Sequence, residues 1–205
     1  MDKLTVPADK IIIGLTGNIA TGKSAVMNLA AEQGALAIDA DKIVHEILAN
    51  DIGVQEAIVT AFGPTIQKDD GRIDRPALGK IVFNDRQALR QLEEIIHPVV
   101  HRQVIKIIQD TAAPIVIIEA IKLLEGKLSG ICDTIWVTRC PRDIQLQRLQ
   151  VCRGLDQETA AMRIDSQPPQ EEKVAQADIV IETGGRMEDT RRQFAAAWSR
   201  RPLPQ

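Results

Sequence analysis

Gly17-Asn18-Ile19-Ala20-Thr21-Gly22-Lys23-Ser24 fits the spacing G-x-x-x-x-G-K-[ST], and few chains that carry it have much freedom in how they fold. The run before it, Lys10-Ile11-Ile12-Ile13-Gly14-Leu15-Thr16, is short and apolar and reads as a buried strand. The run after it, Ala25-Val26-Met27-Asn28-Leu29-Ala30-Ala31, reads as the first turns of a helix. Strand, glycine turn and helix N-terminus together make an anion site, because the free N–H groups of the first helical turn and the helix dipole face the same point. The octet thus predicts a phosphate cradle built from residues 18–24. Lys23 supplies a point charge near the β- and γ-phosphates of a nucleotide, and Ser24 offers a hydroxyl to Mg²⁺.

The rest of the chain alternates. A turn at Gly34 leads into a second strand that ends in Asp39-Ala40-Asp41, and a helix is expected from Lys42 to about Asn50. Residues 51–109 show helical patterns and no buried strand, with turns at Phe62-Gly63 and Asp69-Asp70-Gly71. Ile95-Ile96-His97-Pro98 is read as a helix start, since proline suits a first helical turn, and that helix runs through Ile108. Further strands are expected at residues 114–119, 133–138 and 177–182. Helices are expected at 142–152 and 156–167 and after Gly184-Gly185, while residues 1–9 and the tail after Trp198 read as weakly structured. Strands alternating with helices predict an α/β fold with a parallel sheet covered on both faces. Ligands of such sheets sit at the carboxyl ends of the strands.

Those strand ends carry suitable chemistry. Phosphoryl transfer needs positive charge around the migrating group and a base for the attacking hydroxyl. Asp39 and Asp41 are the candidate bases, and in extended backbone they would point the same way. Capping of the following helix is the plainer role for one of the two. Glu119 closes a wholly apolar strand, where a carboxylate can orient Mg²⁺. Arg139, Arg142, Arg148, Arg153 and Arg163 form a cluster that could close over a triphosphate, although an arginine-rich helix by itself is more often a solvated face. A lone His97 is more often structural than catalytic.

Composition narrows the partners. The 205 residues carry a formal net charge of −3, 44% apolar and 26% charged residues, so any basic site must be local and no nucleic-acid partner is expected. Three Phe, two Trp and no Tyr leave little to stack on bases. Three cysteines without a CxxC spacing fit a reducing compartment. No run reaches membrane-spanning length and the N-terminus lacks signal-peptide character, so a cytoplasmic protein with no membrane partner is expected. A guanine-reading N/T-K-x-D motif is missing, which argues against a GTP switch.

The ordered motifs resemble the dephospho-coenzyme A kinase family. They are Ile13-Gly14-Leu15-Thr16-Gly17 with Gly22-Lys23-Ser24, then Ile38-Asp39-Ala40-Asp41, then Asp70-Gly71-Arg72-Ile73-Asp74-Arg75 with Leu78 and Val82-Phe83. Ile96-His97-Pro98 follows, then Gln145, Arg148-Leu149, Arg153, Arg163-Ile164 and Gln167, and finally Lys173 with Ala177-Asp178. The resemblance implies a P-loop NTPase-type three-layer sandwich with a helical substrate-binding insertion and a helical lid. It divides the chain into a nucleotide-binding core (1–49, 112–146 and 175–205), a helical acceptor domain (50–111) and a lid (147–174). It implies transfer of the γ-phosphate of ATP, with Mg²⁺, to the ribose 3′-hydroxyl of dephospho-coenzyme A, by a monomer or weak homo-oligomer. Asp41 would be the base, with Lys23 and Arg148 on the migrating phosphoryl. ATP would be held by Asn18, Ile19, Ala20, Thr21, Gly22, Lys23, Ser24 and Arg153, and the acceptor by Asp39, Arg75, His97 and Glu119.

The chain departs from the family's pattern at Asn18 (usually Gly), Ala25 (Thr), Glu119 (Asp) and Thr183 (Asn). It also carries Ala120-Ile121-Lys122-Leu123-Leu124-Glu125 in place of Val-Pro-Leu-Leu-Phe-Glu. The 120–125 change keeps open another small-molecule kinase acting on a nucleoside or other alcohol.

Overall fold

The structure, a computed structural model, describes residues 5–68, 70–82 and 84–203. Asp69 of the expected turn and Phe83 of the family motif lie outside the described residues, as do 1–4 and 204–205 at the ends. The chain divides into two compact units, residues 5–39 with 108–203, and residues 40–107.

The first unit is built on strands β1 (Ile11–Thr16), β2 (Leu36–Asp39), β3 (Ile115–Glu119), β4 (Thr134–Arg139) and β5 (Ile179–Glu182). They form one parallel sheet in the order β2-β3-β1-β4-β5. Every residue of β1 is buried, as its unbroken apolar run requires of a central parallel strand. Ile11, Ile13, Leu15, Ile115, Ile117, Trp136 and Ile181 join one core with residues of two helices. These are α1 (Lys23–Glu32), through Val26, Leu29 and Ala30, and α9 (Met187–Arg200), through Phe194 and Ala197. Trp136 meets Phe194 and Trp198 edge-on, with centroids 6.0 and 6.4 Å away. The expected fraying after Trp198 does not begin at once. Helix α9 continues to Arg200, and the Arg201 guanidinium lies 4.6 Å over the Trp198 ring, a cation–π contact that holds the chain end.

Three further helices of this unit are α6 (Arg142–Arg153), α7 (Gln157–Asp165) and α8 (Gln170–Val174). Gly154 ends α6 in the left-handed region at φ 64°, and Asp156 caps α7 by accepting from Thr159 N–H. Leu149 and Ile164 pack with Ala160 into a second, smaller core.

The second unit holds α2 (Ala40–Asn50), α3 (Ile52–Phe62), α4 (Arg75–Val82) and most of α5 (Arg86–Asp110). Its pairing among the described residues is a single bridge between Gln67 and Ile73, in keeping with the absence of strand patterns there. Ala40, Ile43, Ile47 and Leu48 are buried at helical spacing on α2, and Asp51 caps α3 through Val54 N–H at 2.9 Å.

One expectation is corrected here. His97-Pro98 does not begin a helix. It lies in the middle of α5, which is 25 residues long. Proline at an interior position removes one backbone hydrogen bond and costs about 3 kcal/mol. Ala88, Ile96, Val100 and Val104 are buried on both sides of it, and burying such side chains yields roughly 1.5–3 kcal/mol for each of the larger ones. The packed stripe outweighs the local penalty, so the helix runs through.

Candidate functional site

The phosphate loop connects β1 to α1. Gly17 has φ 151° and Gly22 has φ 85°, angles that residues with a Cβ rarely adopt. At Gly17 an added Cβ would fall 2.4 Å from Thr138 Oγ1 and 2.5 Å from the Thr138 carbonyl oxygen. Both glycines are therefore required by backbone angle and by space. Ala20, without that freedom, also sits at φ 59°, which costs about 1 kcal/mol. Such strain persists where surrounding contacts over-determine the backbone.

Within the loop, Lys23 Nζ donates to the carbonyls of Gly17 (2.9 Å) and Asn18 (3.2 Å) and lies 3.6 Å from Glu119 Oε1. Its charge is thus fixed at the open end of the sheet. Ser24 is exposed at the start of α1. Thr21 Oγ1 and Thr138 Oγ1 lie 2.8 Å apart, tying the loop to the end of β4.

Asp39 and Glu119 are register partners at the carboxyl ends of β2 and β3, and their carboxylate oxygens approach within 4.8 Å of each other. Asp41 does not continue that strand. It stands in the first turn of α2, where a carboxylate favours the helix N-terminus, so the two-residue repeat of extended backbone does not relate it to Asp39. Arg75 opens α4 and is exposed, whereas His97 is half-buried on α5.

The arginines separate into different roles. Arg148 Nη1 donates to Ala20 O (3.1 Å) and Thr183 Oγ1 (3.2 Å), and Nη2 donates to Thr183 O, which places the guanidinium against the loop. Arg139 is committed to Glu182 (Nε to Oε1 2.8 Å), and that hydrogen bond holds its pKa above the ordinary value. Arg142 makes a forked pair with Asp165. Arg153, the last residue of α6, and Arg163 are exposed. A cleft of about 400 Å³ opens at the ends of β4 and β5, lined by Arg139, Cys140, Pro141, Arg142, Gln170 and Glu182. Burial raises the pKa of the Cys140 thiol beside it, with Arg148 opposing.

Gln145 and Gln167, which the family resemblance named within the lid pattern without assigning them a contact, hold the loop backbone. Gln145 is 1% exposed and donates to Ile19 O at 2.7 Å. Gln167 accepts from Ile19 N–H at 2.7 Å. A signal existed for the first: Gln145 lies four residues before Leu149, on the apolar stripe of α6. A buried amide there must find a hydrogen-bond partner. Thr183 also turned out to be structural. It is buried, and its hydroxyl donates to Thr21 O at 2.6 Å.

The family model for dephospho-CoA kinase matches residues 11–189. The chain belongs to the dephospho-CoA kinase family. A dephospho-CoA kinase of Carboxydothermus hydrogenoformans is 42% identical over 89% of this chain and 90% of its own length. Another, from Moorella thermoacetica, is 40% identical over 91% and 90%. Among solved structures, TT1252 from Thermus thermophilus aligns with a TM-score of 0.81 at 33% identity, covering 93% of this chain and 97% of its own. The dephospho-CoA kinase from Campylobacter jejuni gives 0.58 at 28% identity, with the same coverage. A shikimate kinase from Acinetobacter baumannii shares the fold, at a TM-score of 0.53 and 16% identity. Dephospho-CoA kinases thus match through the 120–125 segment, and the alternative of a kinase for some other alcohol is not favoured.

Proposed function

We propose that the protein transfers the γ-phosphoryl group of ATP to the ribose 3′-hydroxyl of dephospho-CoA, giving CoA and ADP in the last step of CoA biosynthesis. The observation that carries this reading is the family match from residue 11 to 189, spanning the loop and the strand-end carboxylates alike. Among the described residues no helix is long and apolar enough to cross a membrane, and we place the reaction in the cytoplasm.

The reaction asks for three things. Phosphates must be held, negative charge must be offset as it moves, and a proton must leave the attacking hydroxyl. Residues 18–24 form the cradle for the ATP phosphates, which the free backbone N–H groups at the start of α1 hold. Lys23 and Arg148 offset charge on the migrating group, as preset charges that need no reorganisation. Arg153 adds a contact to ATP. Asp41 takes the proton. Residues 50–111 receive the acceptor, with Arg75 and His97 contributing from that segment and Asp39 and Glu119 from the strand ends. Residues 147–174 close over ATP and exclude water. Ser24 would offer a hydroxyl to Mg²⁺, and the Asp39 and Glu119 carboxylates, whose oxygens lie within 4.8 Å of each other, would help to orient the ion, whose charge would neutralise the β- and γ-phosphates. We read the working form as a monomer or weak homo-oligomer.

Purified protein should release ADP only when dephospho-CoA is added, among a panel of alcohol acceptors. No stimulation by dephospho-CoA would overturn the proposal. Asp41→Asn should bind ATP within about threefold of the native protein and lose at least about 10²-fold in kcat. Unchanged turnover would remove Asp41 as the base. ATP should also raise hydrogen-exchange protection across residues 147–174, and equal protection with and without ATP would count against a closing segment.

A further inference from the structure

Both backbone groups of Ile19 are taken by glutamine side chains more than a hundred residues away in sequence. Gln167 Oε1 accepts its N–H, across 148 positions, and Gln145 Nε2 donates to its carbonyl, across 126. The Ile19 side chain is buried with Leu149, Ala160 and Ile164 of α6 and α7. Asn18 Nδ2 adds a third tie, donating to Pro168 O at 2.8 Å. The next residue is Ala20, the single described non-glycine residue at positive φ, and its carbonyl accepts from Arg148.

Gln145 is itself oriented. Gln170 Nε2 lies 3.4 Å from Gln145 Oε1 and donates to Cys140 O at 2.9 Å. The Gln145 carbonyl therefore faces Gln170, and its amide N–H₂ faces Ile19. The clamp is part of a fixed network.

A phosphate loop works through the direction of its N–H groups. A loop that had to find its shape on binding would lose affinity to that ordering. A strained residue at its apex makes the need for outside support greater. We infer that Gln145 and Gln167 are positioning residues that hold Ile19-Ala20 in the shape that receives ATP, and that through Ile19 they make the loop and helices α6 and α7 respond to the nucleotide as one body. The inference rests on the reading of residues 18–24 as the ATP site. It assigns the two glutamines no contact with ATP.

The test uses variants of opposite hydrogen-bonding ability. Gln167→Glu keeps an acceptor for Ile19 N–H, and Gln167→Leu removes it. Gln145→Glu places an acceptor against the Ile19 carbonyl, where a donor is required. Expected are a Kd and KM for ATP raised at least tenfold in Gln167→Leu and Gln145→Glu, and within threefold of native in Gln167→Glu. In Gln167→Leu, kcat and the KM for dephospho-CoA should stay within threefold. A purely structural role would lower stability in Gln167→Leu while leaving its Kd for ATP near that of the native protein. The inference is overturned if Gln167→Leu binds ATP within twofold of native, or if Gln167→Glu is as impaired as Gln167→Leu. Lys23→Ala separates the premise from the inference. If it binds ATP as the native protein does, the loop is not the ATP site. If it loses ATP while Gln167→Leu keeps it, the clamp alone is wrong.

Discussion

A methyl group added at Gly22 would lie 3.0 Å from Thr183 Oγ1 and 3.1 Å from Thr183 Cβ, on a residue whose φ is 85°. The hydroxyl cannot yield easily, because it donates to Thr21 O and accepts from Arg148. Gly22→Ala should therefore lower stability by about 1–3 kcal/mol and weaken ATP binding at least about tenfold, read from urea unfolding and calorimetric titration. Cysteine chemistry gives a second test at this scale. Cys152 is exposed, Cys140 is buried, and burial, reinforced by the neighbouring Asp133 charge, lifts the Cys132 thiol from the ordinary 9.0 to about 12. In the native protein at about pH 8 a thiol reagent should label Cys152 rapidly and the other two only on unfolding. A folded-state pKa raised above the unfolded value means that the folded chain holds the proton more tightly. The contribution of Cys132 to stability is thus complete below about pH 9 and is withdrawn as pH rises toward about 12. Cys132→Ala should flatten that alkaline loss in a denaturation series.

At the scale of elements, Pro98 in the interior of α5 is the local rule that the chain breaks. Pro98→Ala restores a backbone donor and should raise stability by roughly 1–3 kcal/mol, measured by urea unfolding. A stability unchanged or lowered would mean that the chain relies on a bend at this point. At the start of α3, Asp51→Ala should cost about 1 kcal/mol, since it removes the acceptor for Val54 N–H. Strands were the easiest elements to read: Ile115–Glu119 is an unbroken apolar run closed by an acid, and nothing else suits it. Helix α5 was misjudged at its middle because proline is a strong local signal, and the buried stripe that overrides it shows only over several turns. The end of β2 was misread for a related reason. The strand stops at Asp39, and an Asp-Ala-Asp run does not mark where extended backbone turns into helix.

For the molecule as a whole, both tryptophans lie in the sheet unit, so intrinsic fluorescence follows the unfolding of that unit. Trp136 is fully buried against Phe194 and Trp198. Trp136→Ala should cost about 3–5 kcal/mol, because it leaves a cavity between β4 and α9. Trp136→Phe should cost less, since its indole N–H has no hydrogen-bond partner to lose among the described residues. The fluorescence of Trp198 would report both. What the sequence determined by itself was whatever acts over a few residues: the phosphate loop with its two required glycines, the apolar strands and the acids at strand ends. Hydrophobic period and backbone freedom are local, and they are written locally. The tertiary structure alone decided the order β2-β3-β1-β4-β5, the register that pairs Asp39 with Glu119, and the seating of Arg148 on the Ala20 carbonyl. It alone placed Gln145 and Gln167 on Ile19. These contacts join residues that stand 43 to 148 positions apart, and packing brings them together only once the sheet has closed around its core.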